Sequence, residues 1–331
     1  MLNSLFLLTN FVEKDPTFIT EFISKILGFI IEFIFRFIYT LTTDNSLGIT
    51  IILFTIIVRF LMIPLNYKQQ KSMFIMQKLQ PEMKKIQDKY KNKKDPEAAR
   101  KMQMEITRLY SKHNCNPFSG CLPIFIQLPI FLALYFIMKN SYLFISQLGD
   151  LYTQIANSIQ NTDGYIEAIS PIAAHITPGN LDGKLNITVL NDLLKYVNKF
   201  SPSQWEEIKS ALPSLNIDNL LAQKTSIETF LGINLTETVG LSFPKVLIAL
   251  ISAFTTFLSS WIMSKKSKAT DPTIKMQQKV MNIFMPIMMG VITINIPCGV
   301  GLYWIVGNIV QIIQQLILTK YCENKFKDMV I

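Results

Sequence analysis

The chain has 331 residues, of which 50% are hydrophobic and 17% charged, and its mean hydropathy of +0.30 is too apolar for an ordinary soluble globular protein. Four scattered cysteines exclude a disulfide framework, and two histidines (His113, His175) without partners at ligand spacing argue against a metal site. The net charge of +9 acquires meaning only once its position along the chain is known.

Phe18–Leu41 is the first strongly periodic segment. It is apolar except for Glu21, Lys25, Glu32 and Arg36, at steps of 4, 7 and 4 residues. At about 100° per residue these fall within roughly 60° of one another, as two i,i+4 ion pairs on one stripe. Such a helix suits the membrane interface better than the bilayer centre, though a sixth span or an uncleaved signal anchor also fits its length. Met1–Phe11 has no basic start and no small-residue cleavage site, so a conventional signal peptide is not expected.

Five apolar runs follow, each near the roughly 17–20 residues that cross a hydrocarbon core. They divide the chain into an N-terminal segment 1–46, span 1 at 47–65, a connection 66–121 and span 2 at 122–139. A long connection 140–242, span 3 at 243–263, a short connection 264–279, span 4 at 280–296, span 5 at 299–319 and a tail 320–331 complete it.

Charge orients these spans. Asn66–Gly120 carries thirteen basic and five acidic residues, and the short connection holds Lys265, Lys266, Lys268, Lys275 and Lys279 against Asp271 alone. Residues 140–242 have five lysines and ten carboxylates. The basic connections are therefore expected in the cytosol, the acidic one and the N-terminal segment outside, and the tail inside. The positive charge is mostly a topological signal, though a basic cytosolic face also suits ribosomal RNA or anionic lipid.

Within the first connection, Met73, Met76, Leu79, Met83 and Ile86 recur every three or four residues, as do Met102, Ile106 and Leu109. Asp95 as N-cap and Pro96 at the first helical position start the second helix. The two stripes predict an antiparallel helical hairpin, against the plainer reading of a solvated loop. The outer connection contains one clear short helix signal, "SQWEEIKSAL", with Ser203 and Glu206 as a capping box. Asn186 and Asn234 match the glycosylation pattern, and no active site is visible; a small folded extracellular decoration is expected.

Apart from end residues such as Lys245, Arg59 is the sole ionised group within the spans, and no Asp or Glu accompanies it there. It lies about 9 Å from the cytosolic end of its span, so snorkelling toward the headgroups is one account. The other is a hydrated cavity, because Thr55, Gln127, Asn295, Asn308 and Gln311 scatter polar groups through neighbouring spans. Only four of the 32 basic residues are arginines, and Arg keeps its charge where a buried Lys could lose it.

"NPFSGCLPIFIQLPIFLALYFIM" (Asn116–Met138) resembles the signature of the YidC-type membrane protein insertases, the bacterial branch of the Oxa superfamily. "TIIVRFLMIPL" (Thr55–Leu65) followed by "LQPEMKKIQDKY" resembles that family's first core span and cytoplasmic hairpin, and "GLYWIVGNIVQIIQQLI" (Gly301–Ile317) its last span. The likeness runs over Leu47–Tyr321 with three motifs in order. Residues 140–242 depart from it by their length.

The resemblance implies an all-α polytopic membrane fold: five transmembrane helices around a hydrophilic groove open to cytosol and lipid, with an interfacial amphipathic helix and a cytosolic helical hairpin. It implies Arg59 in that groove with Thr55, Gln127 and Asn308 nearby, and Tyr303 and Trp304 where substrate helices slide into lipid. The activity implied is insertase and chaperone action without nucleotide hydrolysis, cofactor, metal or catalytic residue. Partners implied are nascent membrane proteins and membrane lipid, together with the ribosome, the signal recognition particle pathway and the Sec translocon, at a bacterial plasma membrane. Seventeen-residue spans of about 25 Å against a core near 30 Å accord with local thinning. A small transporter or channel is the alternative, but it would carry coupling carboxylates and an internal repeat. Cys115, Cys121 and His113 are too little to argue for an enzyme.

Overall fold

The computed structural model describes residues 18–91, 95–113, 122–176, 187–265, 276 and 278–325. The "NPFSG" turn with Cys115 and Cys121, Asn186, Met1–Phe11, most of the 264–279 connection and the end of the tail lie outside the described residues. The described chain is helical apart from one short hairpin. Its helices are α1 (Phe18–Leu41), α2 (Ser46–Leu61), α3 (Ile63–Lys78), α4 (Gln80–Tyr90), α5 (Pro96–Lys112) and α6 (Leu122–Lys139). Then come α7 (Ser141–Phe144), α8 (Ser146–Gln160), α9 (Tyr165–Ile176), α10 (Leu190–Val197), α11 (Pro202–Ala211) and α12 (Asp218–Glu228). After β1 (Thr229–Phe230) and β2 (Ile233–Asn234) follow α13 (Val246–Lys265), a π-helical turn (Val280–Phe284), α14 (Met285–Ile294) and α15 (Cys298–Lys325).

Among the described residues, α13 and α15 are long and apolar enough to cross a bilayer, and α2 with α3 adds a third if the bent pair counts as one span. Ile126–Lys139 and Val280–Ile294 are shorter apolar helical stretches. This is a multi-pass, all-α membrane protein. The run expected to continue to Leu65 breaks at Met62, where the α2 and α3 axes diverge by 53°. Pro64 explains the break: it has no N–H for the carbonyl of Phe60, and its ring crowds that carbonyl.

The chain divides into two compact units. The first comprises Met1–Ile51, Ile130–Thr238 and Pro297–Val300. Here α1 buries Ile31, Phe35 and Ile38 and leaves Phe22, Phe29, Phe33 and Phe37 exposed on the opposite side. Its charged stripe is also an anchor. Glu32 pairs with Arg36 at 2.6 Å and accepts from the backbone and hydroxyl of Ser146 at the start of α8, where its charge meets the positive helix end. Among the described residues, the 140–242 connection folds into six helices rather than one, packed around Leu148, Tyr152, Ile155, Leu193, Val197 and Ile208. The capping box expected at Ser203 and Glu206 instead uses Ser201 and Gln204, because Pro202 fixes the first helical position one residue later.

The β-hairpin turns through Leu231 and Gly232, both at positive φ, as a two-residue primed turn requires. Phe230 fills the space beside Gly48 that a side chain there would occupy. Beyond β2, the carbonyls of Leu235 and Glu237 accept from Gly299 and Cys298, satisfying the opening N–H groups of α15.

The second unit comprises Ile52–Pro129, Val239–Ile296 and Gly301–Ile331. Its expected helical hairpin is present, with the first arm divided at Leu79 into α3 and α4. Ile75, Leu79, Met83, Ile106, Leu109 and Tyr110 form the core, and Met76, Ile86 and Met102 pack against it. Asp95 caps α5 by accepting from the Ala98 N–H, as Pro96 predicts. In the same unit α13 lies close against α14, where Gly290 faces Ala253: a Cβ at 290 would stand 3.2 Å from the alanine Cβ.

Candidate functional site

Arg59 stands on the last turn of α2, immediately before the break. It is 7% exposed, and its Nη1 donates to Gln311 Oε1 on α15 at 3.1 Å. Gly307, one turn before Gln311, makes the space: a Cβ there would stand 2.7 Å from Nη2. Any side chain at 307 would displace the guanidinium. Among the described residues, Nε has no hydrogen-bond partner and no carboxylate pairs with the charge. Burial without a counterion costs a cation several kcal/mol, so the surrounding fold must sustain this arrangement. The sequence reading left Arg59 open to water; the fold covers it with protein.

The same face of α15 continues the contact. Gln314 Nε2 donates to the Arg59 carbonyl at 3.0 Å, while Gln314 Oε1 accepts from Asn66 Nδ2 at 3.2 Å. Gln314 thus bridges the break, holding backbone on one side and side chain on the other. Gln70 Nε2 donates to Thr319 Oγ1 at 2.8 Å, and Tyr67 meets Tyr321 edge-on at 5.9 Å. Since partner numbers rise together, α2–α3 and this part of α15 run parallel along a seam of amides and hydroxyls. On the N-terminal side of Gly307, Tyr303 is 1% exposed, its ring 6.3 Å from Phe54, and its hydroxyl accepts from Gln127 Nε2 at 2.7 Å. Thr55, fully buried, lies one turn before Arg59.

Asn308 and Trp304 belong to another face, about 100° around α15 from Gly307 and Tyr303. Trp304 Nε1 donates to Thr256 Oγ1 at 2.9 Å. The Asn308 amide lies 3.1 Å from the Thr255 hydroxyl and 2.9 Å from that of Thr256. The sequence-predicted residues therefore resolve into two clusters: Arg59 and Thr55 on α2, with the Gln127–Tyr303 bond along α15, and Trp304 with Asn308 against α13. Asn295 joins neither, since its amide returns to the Val291 carbonyl.

Sequence reasoning missed Asn66, Gln70, Gly307, Gln314, Thr319, Thr255 and Thr256. A signal existed for some of them: Asn66 with Gln70, and Gln311 with Gln314, repeat at helical spacing. Chemically the seam offers one fixed cation beside neutral donors and acceptors. That set can exchange hydrogen bonds with a polar chain.

The family model described as 60Kd inner membrane protein matches residues 37–325. The membrane protein insertase YidC of Clostridium perfringens is 30% identical over 275 residues, covering 80% of this chain and 75% of that protein. That of Oceanobacillus iheyensis is 27% identical over 279 residues, 84% of this chain and 76% of its own. The chloroplastic ALBINO3-like protein 1 of Arabidopsis thaliana is 26% identical over 282 residues, 85% of this chain and 45% of its own.

Proposed function

The chain belongs to the 60Kd inner membrane protein family, that of the YidC-type membrane protein insertases, and from this premise we propose that it moves nascent hydrophobic helices from the cytosol sideways into the plasma membrane. The observation that carries the mechanism is Arg59, a buried cation without a carboxylate among the described residues, set in a seam of neutral polar groups. A polar segment bound there exchanges water for amides and a guanidinium, so it crosses less hydrocarbon while its apolar helix moves into lipid.

In this reading five spans surround a cytosol-open groove, with the N-terminal segment outside and the tail inside. Helix α1 lies at the interface with its phenylalanines in lipid. The α3–α5 hairpin receives the ribosome, the signal recognition particle pathway or the emerging substrate, and the protein works alone or beside the Sec translocon. Trp304, half-buried, borders the substrate exit with Tyr303 packed behind it. No nucleotide or covalent step is required.

Purified protein in liposomes tests this. A hydrophobic substrate protein should become protease-protected in its presence, and a photo-crosslinker at Trp304 should capture a stalled substrate helix far better than one at Trp205. Solute flux without protein insertion would overturn the reading.

A further inference from the structure

The 140–242 connection has ten carboxylates against five lysines, yet Thr229–Thr236, toward its C-terminal end, carry no charge at all. The hairpin they form is held firmly at its base. The Glu228 carboxylate accepts from Asn234 Nδ2 at 3.3 Å and from the Thr236 hydroxyl at 3.2 Å. The Glu228 carbonyl accepts from the Leu235 N–H at 2.9 Å. At the tip stands Leu231, 82% exposed, more than any other large apolar side chain among the described residues.

Backbone conformation makes leucine an unfavourable choice there. The φ angles are +50° at Leu231 and +78° at Gly232, the left-handed pair of a two-residue turn. Asn, Asp or Gly fills the first of those places with least strain, and a bulky side chain there is an outlier. In water, Leu231 would add bare apolar surface to that strain and gain nothing from its own fold. Its position supplies a partner. Phe230 fills the space beside Gly48 in the first turn of α2, and the Ser226 carbonyl accepts from the Asn45 N–H at 3.0 Å just before that helix. The hairpin is thus fixed where α2 begins and where α1 ends on an exposed Leu41.

We infer that Leu231 is a membrane anchor: the hairpin tip seats this side chain among the upper acyl chains of lipid, tying the 140–242 module to the bilayer beside the start of α2. The inference rests on α2 as a span of the insertase proposed above, whose orientation makes this the outer leaflet. Lipid covers the apolar surface that the fold leaves bare, and an uncharged tip takes no ion into the bilayer with it.

The test uses the full chain in liposomes that hold no other protein. With the native cysteines replaced by serine, Leu231→Cys, Phe243→Cys or Val189→Cys carries a small thiol-linked fluorophore. An anchored apolar group lies about 5–10 Å into the headgroup–acyl boundary. Bromines on the upper acyl chains should therefore quench most of the emission at 231, and aqueous iodide little. Phe243, 79% exposed just before α13, is the lipid reference, while Val189 on the module's surface should show the reverse. Lipid quenching at 243 with iodide quenching at 231 overturns the anchor, leaving the tip to a protein partner and the insertase reading intact. Iodide quenching at all three removes the spans themselves, and both readings fall. Photo-leucine, nearly the shape of leucine, answers whether the fluorophore drove its own insertion. On illumination, fragment ions that isolate residue 231 should carry a lipid adduct. A water adduct alone overturns the anchor.

Discussion

Glu228 and Arg59 are both buried charges, and the fold treats them in opposite ways. Glu228, fully buried at the end of α12, accepts from Tyr152 at 2.8 Å, Lys224 at 2.8 Å, Thr236 at 3.2 Å and Asn234 at 3.3 Å. The Lys224 ammonium also lies 5.3 Å from the centroid of the Tyr152 ring. Burial, then the nearby carboxylate, hold the Tyr152 phenol well above its ordinary pKa, so it remains a donor. Arg59 has one side-chain acceptor, Gln311, and a free Nε among the described residues. A charge that serves structure is saturated with partners. On the proposed function, the capacity left at Arg59 is for substrate.

The largest effect should come from breaking the saturated site. Glu228→Ala leaves the Lys224 ammonium buried without its counterion, which should cost about 3–5 kcal/mol. Amide exchange across α8 and α12 would show it as lost protection. A change under about 1 kcal/mol would mean that water replaces the carboxylate, and the contrast with Arg59 would collapse.

Arg59→Ala should do the reverse, leaving stability near the parent's while function falls. A hydrogen bond to a charged group contributes about 1.5–3 kcal/mol, or roughly 10- to 100-fold, in insertion of substrates with acidic outer tails. Neutral-tailed substrates should lose less, Arg59→Lys should retain much of the activity, and Arg59→Glu should be worst for acidic tails. If Arg59→Ala inserts acidic-tailed substrates as the parent does at equal expression, Arg59 is only an anchor near the headgroups. A strong loss of stability instead would place it with Glu228.

The same contrast explains what could be read in advance. Helix α1 was legible because its charges repeat at helical spacing, and α5 because Asp95–Pro96 is a purely local signal. Arg59 stood out as a lone cation in an apolar run. Gln311 stood out only as one of several scattered polar groups and Gln314 not at all, because both come to Arg59 from some 250 residues away, and pairing at that distance leaves no local trace. Gly307 is silent for a related reason: its meaning is the guanidinium that occupies its missing side chain. Thr255 and Thr256 were hidden because hydroxyls in an apolar helix ordinarily bond back to their own turn. Most of the 140–242 connection was hidden too, since helices as short as α10 and α12 carry too few turns for periodicity to emerge. Their stability comes from packing around Tyr152 and Ile155.

The smallest effect belongs to an exposed pair, which sharpens the comparison from its other end. At the hairpin tip Lys89 donates to Glu105 at 2.6 Å and Tyr90 to the same oxygen at 2.8 Å. The Lys89 bond, then that of Tyr90, hold the Glu105 carboxyl below its ordinary value of 4.5; the Glu105 bond raises Lys89 above 10.5. Stabilisation from Glu105 is therefore present above pH 4.5 and lost as pH falls through its lowered value. That from Lys89 is present below pH 10.5 and lost as pH rises through its raised value. Protection of tip amides should form a plateau between these limits and fall slightly at both ends, while the Leu79–Leu109 core stays constant. Added salt should flatten the profile, since water and ions reach this pair. Tyr90 can still donate to a protonated carboxyl, so the acid side should fall less than in Tyr90→Phe. If Lys89→Gln changes neither limb, the pair is a surface coincidence, and coupling between charge and structure is confined to the buried sites.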